Sequence, residues 1–282
     1  MAVIMKGREV VEAMKEELRA RASALRAAGT VPKLMILRVG KREDDLAYEK
    51  AVKKRMEELQ IEYEVCELPQ SVTQEELESE FKKFNQDGNI HGILVFRPLP
   101  GHLDEEPLRE MIFPEKDADG MGILNTARLF AGESTAYPPC TAQAVLELLD
   151  HYGIGIEGKK VTLIGRSMVV GKPLAMLLLN RNATVRICHT RTADLKEACL
   201  DAEILVAAAG SAGMVRGDMV SPRTVVIDVG INVDKNGNIC GDVDYESAKE
   251  NASLITPVPG GIGSITTSVL AKHVLRGAGA KL

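Results

Sequence analysis

The chain has 282 residues, 45% hydrophobic and 27% charged, which is an ordinary soluble composition and longer than one typical core, so two domains are expected. A net charge of −5 with no basic block, and no Trp, leave neither an electrostatic footprint nor a stacking platform for nucleic acid. No apolar run reaches the roughly 18 residues of a membrane span. The cysteines Cys66, Cys140, Cys188, Cys199 and Cys240 are scattered and form no CxxC, which argues against a metal site and for a reduced, cytoplasmic setting.

The N-terminal MAVIMKGREVVEAMKEEL lacks the apolar core and small-residue cleavage site of a signal peptide and reads as a short strand entering an amphipathic helix. KLMILRV, EYEVCEL and HGILVF then read as strands, with helical runs near 43–60 and 73–86 between them. Strand, helix and strand at this spacing point to βαβ units and a parallel sheet. FPEKDADGMG, 113–122, reads as a loop, and a helix near 141–152 follows with Thr141 as its cap. A second alternation begins at KKVTLIG. A helix over 172–181, the strand ATVRICH, a short helix, and the strands EILVAAA and TVVIDVG come next. Near-continuous apolar strands suit a sheet covered on both faces. SLITPVP, a glycine run and a last helix of about three turns close the chain. The expected fold is α/β with two domains, the second doubly wound.

After KKVTLI, the turn GRSMVVGKP joins a buried strand to a helix and could bring backbone N–H groups to a phosphate. Gly165 and Gly171 flank it, but Ser167 stands where a dinucleotide fingerprint has its second glycine, and a tight turn with no ligand is the other reading. The next strand ends CHTRT, with His189, Thr190, Arg191 and Thr192 and no acid for a ribose 2′-hydroxyl. An arginine there favours NADP over NAD, unless Arg191 is simply a solvated loop residue.

Several stretches taken together resemble the bifunctional methylenetetrahydrofolate dehydrogenase/cyclohydrolase family. They are RPLP at 97–100, KDADG at 116–120, PPCT at 138–141, GRSMVVGKP at 165–173, DVGIN at 228–232, GDV at 241–243 and TPVPGGIG at 256–263. The resemblance implies an N-terminal catalytic α/β domain over 1–139, a C-terminal Rossmann-type NADP-binding domain over 140–262, a last segment 263–282 returning to the first domain, and a cleft between the two. It also implies a homodimer, NADP as cofactor, and tetrahydrofolate one-carbon derivatives as substrates. Hydride would leave a carbon flanked by two nitrogens whose lone pairs stabilise the developing cation, so positioning and exclusion of water suffice for the first step.

By resemblance, Asp119 holds the pterin as an acceptor and Tyr48 lines the folate cleft, with Val52, Phe96, Pro98, Leu99, Pro259, Gly260 and Gly261 also on the substrate side. Read without the family, Asp119 is a turn-stabilising Asp before Gly120, and the glycines a hinge. The resemblance assigns the cofactor to Thr141, Gly165, Arg166, Ser167, Gly171, Pro173, His189, Thr190, Arg191, Ala209, Gly210, Gly230, Ile231, Asp242, Gly263 and Thr267.

Two departures bear on the second activity. In a helix at about 100° per residue, positions 51 and 52 lie about 60° and 40° from Tyr48, whereas Lys50, Lys53 and Lys54 lie on other faces. The family's Tyr, three residues, Lys pattern therefore puts Val52 in the lysine's place. Phe96 replaces the glutamine that orients that lysine. Losing both partners of a polar pair costs folding little, so the expectation is a dehydrogenase with weak or absent cyclohydrolase activity. A fully bifunctional enzyme and a non-catalytic nucleotide-binding subunit are the alternatives. Ser264-Ile265 stands where the family has Pro-Met. Cys140 has no His near it in sequence and reads as a packed structural thiol.

Overall fold

Parallel strands can be joined only by a crossover, and the chain spends most of its length on such crossovers. The computed structural model describes residues 2–279. In one unit, Lys33–Val39 lies between Glu62–Leu68 and Gly92–Val95, paired in parallel with both. The helices Glu43–Glu58 and Gln74–Gln86 make the crossovers. Thr73 caps the second helix through a reciprocal box. Its Oγ1 accepts the Glu76 N–H at 3.3 Å, and its own N–H donates to the Glu76 carboxylate at 3.0 Å. One face of the sheet buries Met35, Leu37, Ile93 and Val95 among Leu77, Phe81 and Leu108. The last helix, Thr266–Gly279, also packs on this sheet. A Cβ on Gly92 would sit 2.7 Å from Val274 Cγ2, and one on Gly277 would strike the carbonyl of His91 and lie 2.6 Å from that of Glu115.

The other unit is a six-stranded parallel sheet. Its order is Val3–Ile4, Leu254–Ile255, Val225–Asp228, Ile204–Ala207, Lys160–Ile164, Thr184–Cys188. From Lys160–Ile164 the chain first adds Thr184–Cys188 on one side and then Ile204–Ala207 on the other. That reversal makes the sheet doubly wound, as expected. It also creates a switch point at the carboxyl ends of Lys160–Ile164 and Ile204–Ala207, the usual ligand position in open α/β sheets.

The chain separates into two compact units. Residues up to Glu12 group with Thr141–Thr266, and Ala13–Cys140 with the chain from Thr267 onward. The cause at the start is specific: Val3 and Ile4 pair with Leu254 and Ile255 in the second unit's sheet, not with anything in 13–139. A two-residue strand has no periodicity from which its partner could be read. The short helices Glu106–Met111, Ile123–Phe130 and Tyr245–Asn251, and the hairpin Asn232–Val233 with Ile239–Cys240, carry too few turns or residues to show a period. Thr141 is not a cap. The helix runs Cys140–His151 with Thr141 inside it, and the Cys140 N–H donates to Asp119 Oδ1 at 3.2 Å.

Gly277→Ala should lower the thermal midpoint, with overpacking costing about 1–3 kcal/mol. Gly155→Ala, where a Cβ would meet nothing within 4 Å, serves as the control in the same calorimetric comparison and should leave the midpoint nearly unchanged.

Candidate active site

Tyr48 and Phe96 come together in the first unit. Their ring centroids are 5.8 Å apart and the rings are 74° from coplanar, an edge-to-face pair. Val52, one turn after Tyr48, is fully buried, and Phe96 nearly so. The three lysines of this helix go elsewhere, as their helical angles require. Lys50 and Lys54 are exposed. Lys53 is held by Glu49 at 2.5 Å and lies 6.0 Å from the Tyr63 ring centroid. Glu49 is itself buried and also accepts from Arg38 Nε at 2.8 Å. Burial alone would raise the Glu49 carboxyl, but Lys53 and Arg38 outweigh it and hold it below its ordinary value. Leu99 is half-buried and packs toward the apolar core, while Pro98 is exposed and follows a cis peptide bond.

The KDADG loop is organised by its two acids. Asp117 is fully buried and accepts from Met121 N–H (2.8 Å), Gly122 N–H (2.9 Å) and Asn125 Nδ2 (2.9 Å). Burial pushes its carboxyl up to about 6 against the pull of these donors. Gly120 needs its left-handed backbone (φ +62°), and a Cβ there would lie 2.5 Å from the backbone of Tyr137, Pro138 and Pro139. Asp119 points to a more open place. Its Oδ1 accepts from Cys140 N–H, and its Oδ2 stands 3.5 Å from Arg97 Nη2. Arg97 is the member of this group that helix geometry and turn chemistry gave no reason to expect.

Cys140 does have a histidine partner, from a helix 133 residues further on: its Sγ lies 3.9 Å from His273 Nδ1. The pair is not a nucleophile and base. His273 Nδ1 lies 2.8 Å from the Ala118 carbonyl, which can only accept, so that nitrogen carries the proton. The thiol donates to the same carbonyl at 3.2 Å. Burial raises the thiol well above its ordinary value and brings the imidazole down to about 4. Cys140 is the packed thiol the sequence suggested.

In the nucleotide unit, Gly165 has φ +123°, and a Cβ there would collide with the Ala208 carbonyl. A Cβ on Gly171 would strike the carbonyl of Gly165. The turns at the ends of Lys160–Ile164 and Ile204–Ala207 thus touch backbone to backbone at the switch point. Ser167 Oγ accepts from the Val170 N–H at 3.1 Å, and the helix Gly171–Leu179 follows with Pro173 buried in its first turn. Arg166 and Ser167 are exposed. Past Thr184–Cys188, Thr192 Oγ1 accepts from the His189 N–H at 2.9 Å, and His189 Nδ1 accepts from the Arg191 N–H at 3.1 Å. This small turn leaves Thr190 and Arg191 exposed. The following acid, Asp194, is engaged in capping Leu195–Leu200, where it accepts from Glu197 N–H at 2.8 Å.

DVGIN and GDV interlock. Asp228 accepts from the N–H groups of Gly230 (2.9 Å), Asp242 (3.0 Å) and Val243 (2.9 Å). Burial nevertheless pushes its carboxyl up to about 6. Asp242 accepts from Ala209 (2.6 Å), Gly210 (3.0 Å) and Ser211 (2.7 Å) N–H and from Asn232 Nδ2 (2.9 Å). It is completely buried, and its acceptors are occupied. The carboxylate holds the 209–211 loop from beneath, through the N–H groups of Ala209, Gly210 and Ser211. Gly230, Ile231, Pro259, Gly260, Gly261 and Gly263 line one pocket of about 300 Å³. Gly260 has φ +104°, and Ser264 Oγ donates to the Gly261 carbonyl at 2.7 Å. Of the remaining expected cofactor residues, Thr141 is half-buried in its helix. Thr267 is buried, with Oγ1 3.4 Å from Arg55 Nε.

Among the described residues no helix is long and apolar enough to cross a membrane, and no His, Cys, Asp and Glu cluster could hold a metal. A parallel sheet with a glycine-lined switch point, and a second α/β unit bearing a partly covered carboxylate, fit a nucleotide-dependent enzyme of two domains. Comparison with known proteins agrees. Residues 5–119 match the catalytic domain of tetrahydrofolate dehydrogenase/cyclohydrolase, and residues 139–282 match its NAD(P)-binding domain. The chain is 51% identical over 276 residues to the bifunctional protein FolD of Alkaliphilus oremlandii, covering 98% of this chain and 97% of that one. It resembles the crystal structure of the Campylobacter jejuni bifunctional enzyme FolD with a TM-score of 0.98, 37% identity and full coverage of both chains. The Trypanosoma brucei enzyme, solved with NADP and an inhibitor, gives 0.93 at 38% identity, covering 99% of this chain and 98% of that one. The chain belongs to the tetrahydrofolate dehydrogenase/cyclohydrolase family.

The buried histidine makes a testable prediction. The unfolded chain takes up a proton near pH 6.5 that folded His273 refuses until about pH 4, so this residue costs stability progressively as pH falls through that window. His273→Gln retains an N–H donor for Ala118 and does not titrate. The wild type should lose roughly 3 kcal/mol relative to the variant between those limits, measured by denaturant unfolding at each pH.

Proposed function

We propose that this enzyme oxidises 5,10-methylenetetrahydrofolate to the 5,10-methenyl cation with NADP⁺ as hydride acceptor, and that it hydrolyses the cation weakly or not at all. The first part rests on family membership and on a nucleotide turn whose glycines leave room that a Cβ would fill. The bound nicotinamide supplies the hydride-accepting carbon. The protein's own task is to hold the pterin, with Asp119 as acceptor and the Tyr48–Phe96 pair as a wall, and to keep water away from the reacting carbon.

The single observation that carries the second part is the fully buried Val52 beside Tyr48 and Phe96. Hydrolysis needs a group that activates water, typically worth about 10²–10⁴-fold. The only lysine of that helix drawn inward, among the described residues, is Lys53, and Glu49 holds it. An apolar pair in place of an amine and its amide leaves no stranded polar group, consistent with the absence of buried unpaired side-chain atoms among the described residues. A second reading, in which both activities persist, is favoured by the names of the relatives, which are called bifunctional at about half identity. We further propose a homodimer and a cytoplasmic location, on the family resemblance and the free cysteines.

The test is hydrolysis of added methenyltetrahydrofolate. Wild-type protein should match the buffer rate, and Val52→Lys with Phe96→Gln should exceed it by about tenfold or more. Hydrolysis by the wild type at rates matching its dehydrogenase would support the bifunctional reading instead. The Arg191 argument is separable. Arg191→Ala should weaken NADP⁺ binding by roughly tenfold or more, as loss of a charge-assisted hydrogen bond implies, and leave NAD⁺ binding unchanged in parallel titrations.

A further inference from the structure

We propose that Arg97 is a specificity-determining residue that donates to the 4-oxo oxygen of the pterin while Asp119 accepts from the neighbouring ring N–H and 2-amino group. This rests on the folate reading above and deepens it. That edge of a tetrahydropterin presents donor, donor and acceptor in a row. A carboxylate beside a guanidinium presents the complementary acceptor, acceptor and donor.

The acceptor capacity is there. A carboxylate has about four lone-pair sites. Asp119 uses one for the Cys140 N–H, which fixes its orientation from the start of the Cys140–His151 helix. Its Oδ2 faces Arg97 Nη2 at 3.5 Å, beyond the roughly 2.7–2.9 Å of a closed charge-assisted bond. The pair is therefore adjacent but not mutually consumed. The donor capacity is there too. Arg97 carries five N–H donors, and among the described residues it donates no hydrogen bond to protein. Both side chains are mostly covered, 18% and 24% exposed, so a partner that reaches them meets a partly dehydrated charge rather than a solvated one. Arg97 follows directly on Phe96, the wall against Tyr48, so it stands beside the surface on which the pterin would lie.

The experiment uses the full-length protein with saturating NADP⁺ and two probes, tetrahydrofolate and its 4-amino analogue, titrated calorimetrically. In the analogue a 4-amino donor replaces the 4-oxo acceptor and N3 loses its hydrogen, so the wild type should bind it more weakly at both groups, and the Arg97 contribution is read from the change between variants on each probe. Arg97→Leu should weaken tetrahydrofolate roughly 10–100-fold and leave the 4-amino compound unchanged or bound more tightly. Arg97→Lys, a point donor on a flexible stem, should recover part of the preference. Equal losses for both probes, or no change for either, would overturn the assignment and leave Arg97 a structural partner of Asp119. If the leucine variant does not fold by circular dichroism, Arg97→Met and Arg97→Lys give the same ratio test. Failure of the wild type to bind either probe would sink the folate reading itself, a result distinct from an unchanged ratio.

Discussion

A carboxylate proposed to hold a ligand has to be fixed in place without spending its acceptors, and Asp119 is so placed. One oxygen takes the Cys140 N–H and the other faces Arg97 at a distance too long to close. The burden of shaping the loop falls on its neighbour Asp117, which is buried and accepts three bonds. In the other unit, Asp228 and Asp242 are likewise buried and hold the 209–211, Gly230 and 242–243 backbone through accepted N–H bonds. Loops that meet ligands lack the ladder bonds of strands, and in both units buried acids supply the missing order.

Under the function proposed above, the apolar wall of Val52 and Phe96 bears on which of two linked reactions is supported. Hydride departure is assisted by the substrate's own nitrogens and asks the protein for geometry. Hydrolysis asks it for a proton acceptor. Val52 and Phe96 supply packing and nothing that titrates, whereas the inward amine, Lys53, is neutralised by Glu49 within a buried network that includes Arg38.

The alternation of strands and helices was legible because the inner parallel strands, buried on both faces, read as apolar runs, and the lysine angles were legible because a helix has a fixed turn. The side on which Lys50, Lys53 and Lys54 fall needed no tertiary information. Four things did need it. Val3–Ile4 joins a partner some 250 residues away. The helix starting at Cys140 is met by Asp119, so the local candidate Thr141 was misleading. Asp242 is buried and accepts from the 209–211 backbone, a partnership the spacing of GDV does not show. His273 reaches Cys140 only through the return of the last helix, which sequence proximity cannot reveal.

The most direct measurement is a single turnover of methylenetetrahydrofolate with excess enzyme and NADP⁺, following reduced cofactor and the methenyl absorbance together. The account predicts that the two rise with equal amplitude and that the methenyl signal then decays only as fast as it does in buffer. A methenyl signal that never accumulates while reduced cofactor forms, with formyltetrahydrofolate appearing in its place, would contradict it.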